Sequence, residues 1–222
     1  MADCEMARGK FITLEGGEGS GKSTQARLLT ARLRNAGRDV VLTREPGGTP
    51  FAEQVREFIL ASTTAEHGAL AEALLFYAAR AEHLEKIIRP ALAAGRWVVC
   101  DRFSDSGRVY QSLAGGLPLE TYLSLEQIVV APTLPDLTCI LDVPPEVGLR
   151  RATARQDATG RPAADRYERR ALHFHEQLRK GFLDIALSEP QRCVVVDGAG
   201  APDEIAGRVW STVVQRLSLE TR

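Results

Sequence analysis

Gly16-Gly17-Glu18-Gly19-Ser20-Gly21-Lys22-Ser23 stands directly after an apolar run, Lys10 to Glu15, and directly before a helical pattern that begins at Lys22. No other feature constrains the chain as strongly, because G-x-x-x-x-G-K-[ST] between a strand and a helix is a phosphate cradle. Its glycines let the backbone turn N–H groups inward around an anion, and the new helix N-terminus adds partial positive charge. Lys22 is placed to reach the β and γ phosphates of a nucleotide and the Ser23 hydroxyl to ligate Mg²⁺, with Thr24 completing the loop segment. From ordinary residue frequencies a chain of this length carries the pattern by chance roughly a few times in a thousand, so nucleotide binding is the expectation.

The rest of the chain alternates in the same way. Apolar runs at Lys10 to Glu15, Asp39 to Thr43, Arg96 to Asp101, Leu137 to Asp142 and Arg192 to Asp197 are continuous rather than period-two, as buried parallel strands are. Between them, Lys22 to Asn35 reads as a helix ending at Gly37, a C-terminal cap. Ala69 to Ile88 reads as a longer helix with Leu70, Leu74, Ala78 and Ala81 at helical spacing, broken or restarted at Pro90. Asp165 to Leu187 and Pro202 to Leu217 read as two more helices. This predicts an α/β fold with a doubly wound, five-stranded parallel sheet. At 222 residues it predicts a single domain over 1–222. Arg150 to Ala164 is basic and short of large apolar residues, and is expected to be an exposed, mobile segment.

A formal net charge of -1 gives no positive field to attract nucleic acid or an anionic membrane. No run of about 18 apolar residues occurs, and MADCEMARGK has no stretch of signal-peptide length, so neither membrane nor export is expected. Cys4, Cys100, Cys139 and Cys193 show no metal-ligand spacing, and three of them fall in strand-like runs. They read as structural thiols kept reduced in a cytoplasm.

Trp97 to Asp101 is an apolar strand ending in a carboxylate, so Asp101 is the candidate for holding Mg²⁺ directly or through water. Asp142, after Cys139-Ile140-Leu141, has the same local pattern. Asp101 is preferred because Arg102 follows it and puts an anion-binding side chain at the same strand edge. Guanine-specific switches carry an N/T-K-x-D motif, and none of the four lysines, at 10, 22, 86 and 180, sits in one. A nucleotide kinase and a regulatory ATPase both remain compatible with the loop alone.

Five further motifs occur in order: Thr43-Arg44-Glu45-Pro46-Gly47-Gly48-Thr49; Leu74 to Arg80 (LLFYAAR); Asp101-Arg102-Phe103 through Ser106, Tyr110 and Gln111; Leu141 to Gly148 (LDVPPEVG); and Asp165-Arg166-Tyr167-Glu168. Together they resemble the signatures of bacterial thymidylate kinases over about residues 9 to 215. The resemblance implies a P-loop nucleoside monophosphate kinase fold, ATP-dependent phosphorylation of dTMP to dTDP, Mg²⁺ as cofactor, and a homodimer formed through helices flanking the sheet. The alternatives left are another monophosphate kinase on this scaffold and a regulatory P-loop ATPase.

The resemblance also assigns roles. Phe76 would stack on thymine, and Arg80, one turn later on the same helix face, would donate to its carbonyl oxygen. Without it, Phe76 would be read as core and Arg80 as a solvated neighbour. Arg102 would hold the acceptor 5′-phosphate, a use that suits a planar guanidinium, with Arg44 assisting. Glu18 would accept from the sugar 3′-hydroxyl. Tyr110, after Ser106, would stand where a 2′-hydroxyl needs room, and Gln111 near the base. Glu45-Pro46 resembles the family's cis-proline corner. Position 107 is glycine where many bacterial relatives carry threonine or another polar residue, which leaves open the base contact from that position. The variable loop positions Gly17, Glu18, Gly19 and Ser20 contain no arginine. The bacterial arrangement, with a catalytic arginine supplied by the lid at about 150–164, is therefore expected. Among Arg150, Arg151, Arg155 and Arg161, alignment points to Arg155 as the catalytic group and Arg151 as the residue against adenine. An arginine-rich solvated face is the alternative for this segment.

Overall fold

The computed structural model describes residues 8–61, 67–159 and 167–219, the side chains of 155–159 excepted. Among the described residues the order is β1 (Phe11–Glu15), α1 (Lys22–Asn35), β2 (Val40–Arg44), α2 (Pro50–Leu60), α3 (Ala69–His83), α4 (Arg89–Ala93), β3 (Trp97–Asp101), α5 (Ser104–Gly107), α6 (Leu119–Val129), β4 (Leu137–Asp142), α7 (Pro145–Thr159), α8 (Leu172–Ser188), β5 (Cys193–Asp197) and α9 (Pro202–Leu217). A π-helical turn, Leu84–Ile88, joins α3 to α4, and another, Arg108–Leu113, follows α5. None of these helices is long and apolar enough to cross a membrane.

The five strands are all parallel, in the order β2-β3-β1-β4-β5. The chain runs outward from β1 to β2, returns to β3, and then crosses to β4 on the other side of β1. Strand order therefore reverses at β1, and the crevice beyond its carboxyl end is where such sheets bind ligands. Gly16 to Ser23 sits in that crevice.

Side-chain alternation along the strands divides the core between two faces. Ile12, Leu14, Val99 and Leu141 pack with Leu29 and Leu33 of α1 and Val209 and Val213 of α9. Phe11, Val98 and Cys100 point the other way, toward Tyr77, Leu84, Phe103 and Tyr122. Ile140 and Cys193 face Phe182 and Ile185 of α8. The Cys100, Cys139 and Cys193 thiols are free and buried, and burial pushes Cys139 and Cys193 up to about 12, so they are packing groups rather than nucleophiles. Cys4 lies outside the described residues.

The Leu70, Leu74, Ala78 and Ala81 stripe is helical as its spacing predicts and faces outward, while α3 buries Ala73, Tyr77, Arg80 and His83. Three expectations need correction. Residues 150–159, expected to be part of an exposed, mobile segment, continue α7, because alanine and arginine are good helix formers and Ala152 is buried; 160–164 lie outside the described residues. The helix expected from Asp165 starts at Leu172; Asp165 and Arg166 lie outside the described residues, and Tyr167 to Arg170 form a turn. There the Tyr167 hydroxyl is anchored on Glu72, 2.6 Å away, which holds the segment against the core before the helix can begin. Finally, the π-helical turn replaces the last turn of the α-helix expected to Ile88. The helices α2 and α6 had no counterpart in the sequence reading.

Candidate active site

The phosphate loop follows from its glycines. Gly16, Gly19 and Gly21 have φ of 133°, 63° and 95°, values that strain any side chain. At Gly19 a Cβ would lie 1.8 Å from Gly148 O, and at Gly148 a Cβ would lie 2.2 Å from Glu18 O. Two glycines thus allow the loop backbone to touch the first turns of α7. Lys22 Nζ folds over the loop, donating to Gly17 O at 2.7 Å and Ser20 Oγ at 3.2 Å. Burial and the neighbouring Arg102 bring the ammonium down to about 8.

The Ser23 hydroxyl donates to Asp101 Oδ2 in a short contact, so two oxygen ligands meet at the carboxyl end of β3. Asp142, the other strand-end carboxylate, is taken by Arg179, whose Nε and Nη2 reach its two oxygens at 2.7 and 2.9 Å. That fork-to-fork pair engages both oxygens of Asp142, whereas Asp101, preferred from sequence for the adjacent Arg102, faces Ser23.

Arg102 stands at φ 69°. Its Nη1 donates to Gly16 O (3.1 Å) and Ser106 Oγ (2.9 Å), and its Nη2 to Glu18 Oε1 (2.8 Å) and Tyr110 Oη (3.1 Å). Tyr110 in turn donates to Glu18 Oε1 at 2.6 Å. Burial opposes ionisation of Glu18, but Arg102 and then Lys22 overcome it and hold the carboxyl at about 2. Glu18 Oε2 makes no hydrogen bond among the described residues.

Beneath this cluster lies Glu15, fully buried, which accepts from Phe103 N at 2.7 Å and Ser106 Oγ at 2.5 Å. It braces Phe103 and Ser106, which follow Arg102's left-handed backbone. Burial first, and the Asp105 carboxylate second, push Glu15 up to about 7 from 4.5. A carboxyl that keeps its proton longer in the folded state stabilises fully below pH ~4.5, and that contribution fades as pH rises to ~7. The stability of the wild type relative to Glu15→Gln should therefore fall across that window, by on the order of 3 kcal/mol at most. Urea unfolding at a series of pH values checks this, and a pH-independent difference would refute it.

On the base side, Arg80 is 3% exposed. Its Nε donates to Glu45 Oε2 at 2.7 Å and its Nη2 to Phe103 O at 3.1 Å, while Nη1 is buried without a hydrogen-bond partner among the described residues. Burial works against the charge, and Glu45 more than restores it. Glu45 also takes His83 Nδ1 at 2.9 Å, and His83 Nε2 meets Thr43 Oγ1 at 2.7 Å. The Glu45–Pro46 bond is cis, as the corner motif suggested. Phe76 is half-buried against the cluster containing Val109, Tyr110 and Tyr167. Gln111 Nε2 donates to Glu72 Oε1 at 3.0 Å and lies 3.3 Å from Tyr167 Oη. Gly107 is explained by packing: a Cβ there would lie 2.3 Å from Tyr122 Oη, which donates to Ser104 O at 2.7 Å.

Arg44 is exposed and paired with Glu53 at 2.9 Å. Arg56, which the sequence reading missed, donates to Pro46 O at 2.8 Å. Burial first, then the positive charges of Arg44 and Arg102, lower its pKa. Arg151 Nη1 donates to Gly198 O at 3.0 Å, tying α7 to the loop between β5 and α9. The Arg155 side chain and Arg161 lie outside the described residues.

The loop, Asp101, Arg102, Ser106, Tyr110 and Glu18 are thus brought into one cluster, with Arg80, Phe76 and Gln111 beside it. Glu15, Glu45, Arg56, Glu72 and Tyr167 were not picked out as site residues. Tyr167 and Glu45 lay in quoted motifs, Glu15 closed the first strand run, and Glu72 stands one helical turn before Phe76; Arg56 carried no such signal.

The thymidylate kinase family model matches residues 14–208. A curated thymidylate kinase of Caulobacter vibrioides is 50% identical over 214 residues, 96% of this chain and all of that one. One of Rhodopseudomonas palustris strain CGA009 is 50% identical over 211 residues, 95% of this chain and 90% of its own. A crystal structure of thymidylate kinase from Ehrlichia chaffeensis superposes with a TM-score of 0.73 at 34% identity, covering 93% of this chain and 99% of the other.

Proposed function

The chain belongs to the thymidylate kinase family and transfers a phosphoryl group from ATP to dTMP, and from that premise we propose how its residues divide the work. Gly16 to Thr24 cradle the donor phosphates, Lys22 neutralises their charge, and Arg151 lies along the adenine. Ser23 and Asp101 suit Mg²⁺, a hard cation held through few carboxylates plus phosphate oxygens, which would neutralise charge on the transferring group. On the acceptor side, Arg102, Arg44 and Arg56 take the 5′-phosphate, Glu18 Oε2 the 3′-hydroxyl, and Phe76 the face of thymine. Arg80 Nη1 donates to the thymine carbonyl oxygen. Ser106, Tyr110 and Gln111 complete the sugar and base walls.

The observation that carries this reading is Arg102, which bonds the donor loop through Gly16 and Glu18 and the acceptor segment through Ser106 and Tyr110. A cation at that seam aligns an acceptor phosphate with the γ-phosphoryl group. The acceptor oxygen is itself the nucleophile, so catalysis reduces to alignment and charge neutralisation. Arg155 would supply the remaining cation, and the lid around it would exclude water.

Comparing dTMP, dUMP and UMP tests the acceptor side. A missing methyl costs ~1 to 3 kcal/mol, so dUMP should be a poor but real substrate. UMP should be worse, because the buried Tyr110, held by Glu18 and Arg102, leaves no room for a 2′-hydroxyl. Equal kcat/KM for UMP and dTMP would remove Tyr110 from this role.

A homodimer also belongs to the proposal. Leu70 and Leu74, 47% and 48% exposed, form an outward apolar stripe with Ala78 and Ala81 on α3, and Leu123 of the adjoining α6 is 39% exposed. Such a stripe suits a helix-to-helix contact between two copies. Sedimentation should give twice 24.2 kDa for the wild type; a monomer at micromolar concentration would exclude it. The reduced, buried thiols suit a cytoplasmic setting.

A further inference from the structure

We propose that Glu72 is a specificity-determining positioning residue: it fixes the orientation of the Gln111 amide and so makes the pocket read the N3–H of thymine and reject cytosine. The proposal deepens the base-site reading above and rests on Gln111 standing beside the base.

Glu72 is 8% exposed and Gln111 1% exposed. Glu72 Oε1 receives two donors, Tyr167 Oη at 2.6 Å and Gln111 Nε2 at 3.0 Å, and Glu72 Oε2 lies 3.3 Å from His67 Nε2. The cluster borders the base site on two sides: Glu72 is one helical turn before Phe76 on α3, and Tyr167 packs edge-on to Tyr110 with centroids 5.3 Å apart.

A glutamine side chain has one accepting end and one donating end. Rotated by 180°, Gln111 would set its Oε1 against the Glu72 oxygen, placing two acceptors together in a buried site, which is costly. The amide is therefore locked with Nε2 toward Glu72. Its Oε1, which makes no hydrogen bond among the described residues, is left as an acceptor for the ligand.

Thymine and uracil present a donor at N3 beside an acceptor at O4. Cytosine presents the reverse, an acceptor at N3 beside a donor at the 4-amino group. Arg80 Nη1, a buried donor without a partner among the described residues, matches O4, and Gln111 Oε1 matches N3–H. Arg80 cannot change its polarity, but an unrestrained glutamine could. Glu72 removes that freedom.

The experiment measures kcat/KM for dTMP, dUMP and dCMP with the wild type, Glu72→Gln and Gln111→Leu. Glutamine at 72 can accept or donate, so either orientation of Gln111 is satisfied. The dTMP-to-dCMP ratio should then fall about 10-fold or more, while the dTMP-to-dUMP ratio, which senses the methyl, stays unchanged. Equal losses on all three substrates, or an unchanged dTMP-to-dCMP ratio, would overturn the proposal. Gln111→Leu separates the two levels: a collapsed ratio there with none in Glu72→Gln removes only Glu72's role, whereas no change in either shows that Gln111 is not at the base. Should Glu72→Gln fail to fold, the exchange Glu72→Gln with Gln111→Glu carries the test, since residue 111 then presents an acceptor in either orientation. It should keep a wild-type-like preference for dTMP over dCMP, and losing that preference overturns the proposal.

Discussion

Replacing Lys22 with alanine should lower kcat by about 10²- to 10³-fold and leave the protein folded. The ammonium is 6% exposed and lies over the phosphate loop, where charge on the β and γ oxygens must be neutralised as the phosphoryl group moves. Its partners, Gly17 O and Ser20 Oγ, are loop atoms that water can satisfy, and the buried face of α1, with Ala26, Leu29 and Leu33, is untouched. Steady-state kinetics at saturating ATP and dTMP, with a thermal melt on the same samples, checks both halves. A folded variant that keeps most of the wild-type kcat would remove the loop from catalysis.

Arg155→Ala should lower kcat by about 10³-fold, with little change in KM for dTMP, and Arg151→Ala should mainly raise KM for ATP. The loop's variable positions supply no arginine, so a further cation for the transferring group must come from elsewhere. The fold offers a route. Gly148 of α7 lies against Gly19 of the phosphate loop, and position 155 falls seven residues later on the same helix face, about 10 Å along the axis. Arg151 bonds the loop after β5, on the side assigned to adenine. Near-normal kcat in the Arg155 variant, or a loss confined to dTMP binding, would place the catalytic arginine on another residue.

The strands were legible as short apolar runs, and each matched within a residue. The inner strands β1, β3 and β4 are buried almost throughout, as a continuous apolar run implies, while the edge strands β2 and β5 are only partly buried. Helices α1 and α9 matched because their apolar spacing and terminal residues agreed. Helix α2 was readable and was passed over: its apolar residues lie to one side, and Thr49 capping Ala52 N and Pro50 at the first position are start signals. The α3 stripe gave the helix and not its orientation, because periodicity reports an apolar face and not what covers it.

The site divides in the same way. Lys22, Asp101, Arg102 and Tyr110 stand within contiguous motifs and could be picked out there, and the structure gathers them around the loop. Glu15, Arg56 and Glu72 make their contacts across elements, which local sequence does not record, and Glu45 lay in a quoted motif without a role assigned to it. Asp101 could be separated firmly from Asp142 only by Arg179, 37 residues away from the latter.

Coupled ADP release from the wild type decides whether one cleft moves the γ-phosphoryl group of ATP onto dTMP. The acceptors are dTMP, dCMP, GMP, thymidine and none. ADP release should depend on an added monophosphate, be fastest by a wide margin with dTMP, and fall to a small residue without acceptor. Comparable ADP release with no acceptor, or equal rates with GMP or thymidine, would contradict it.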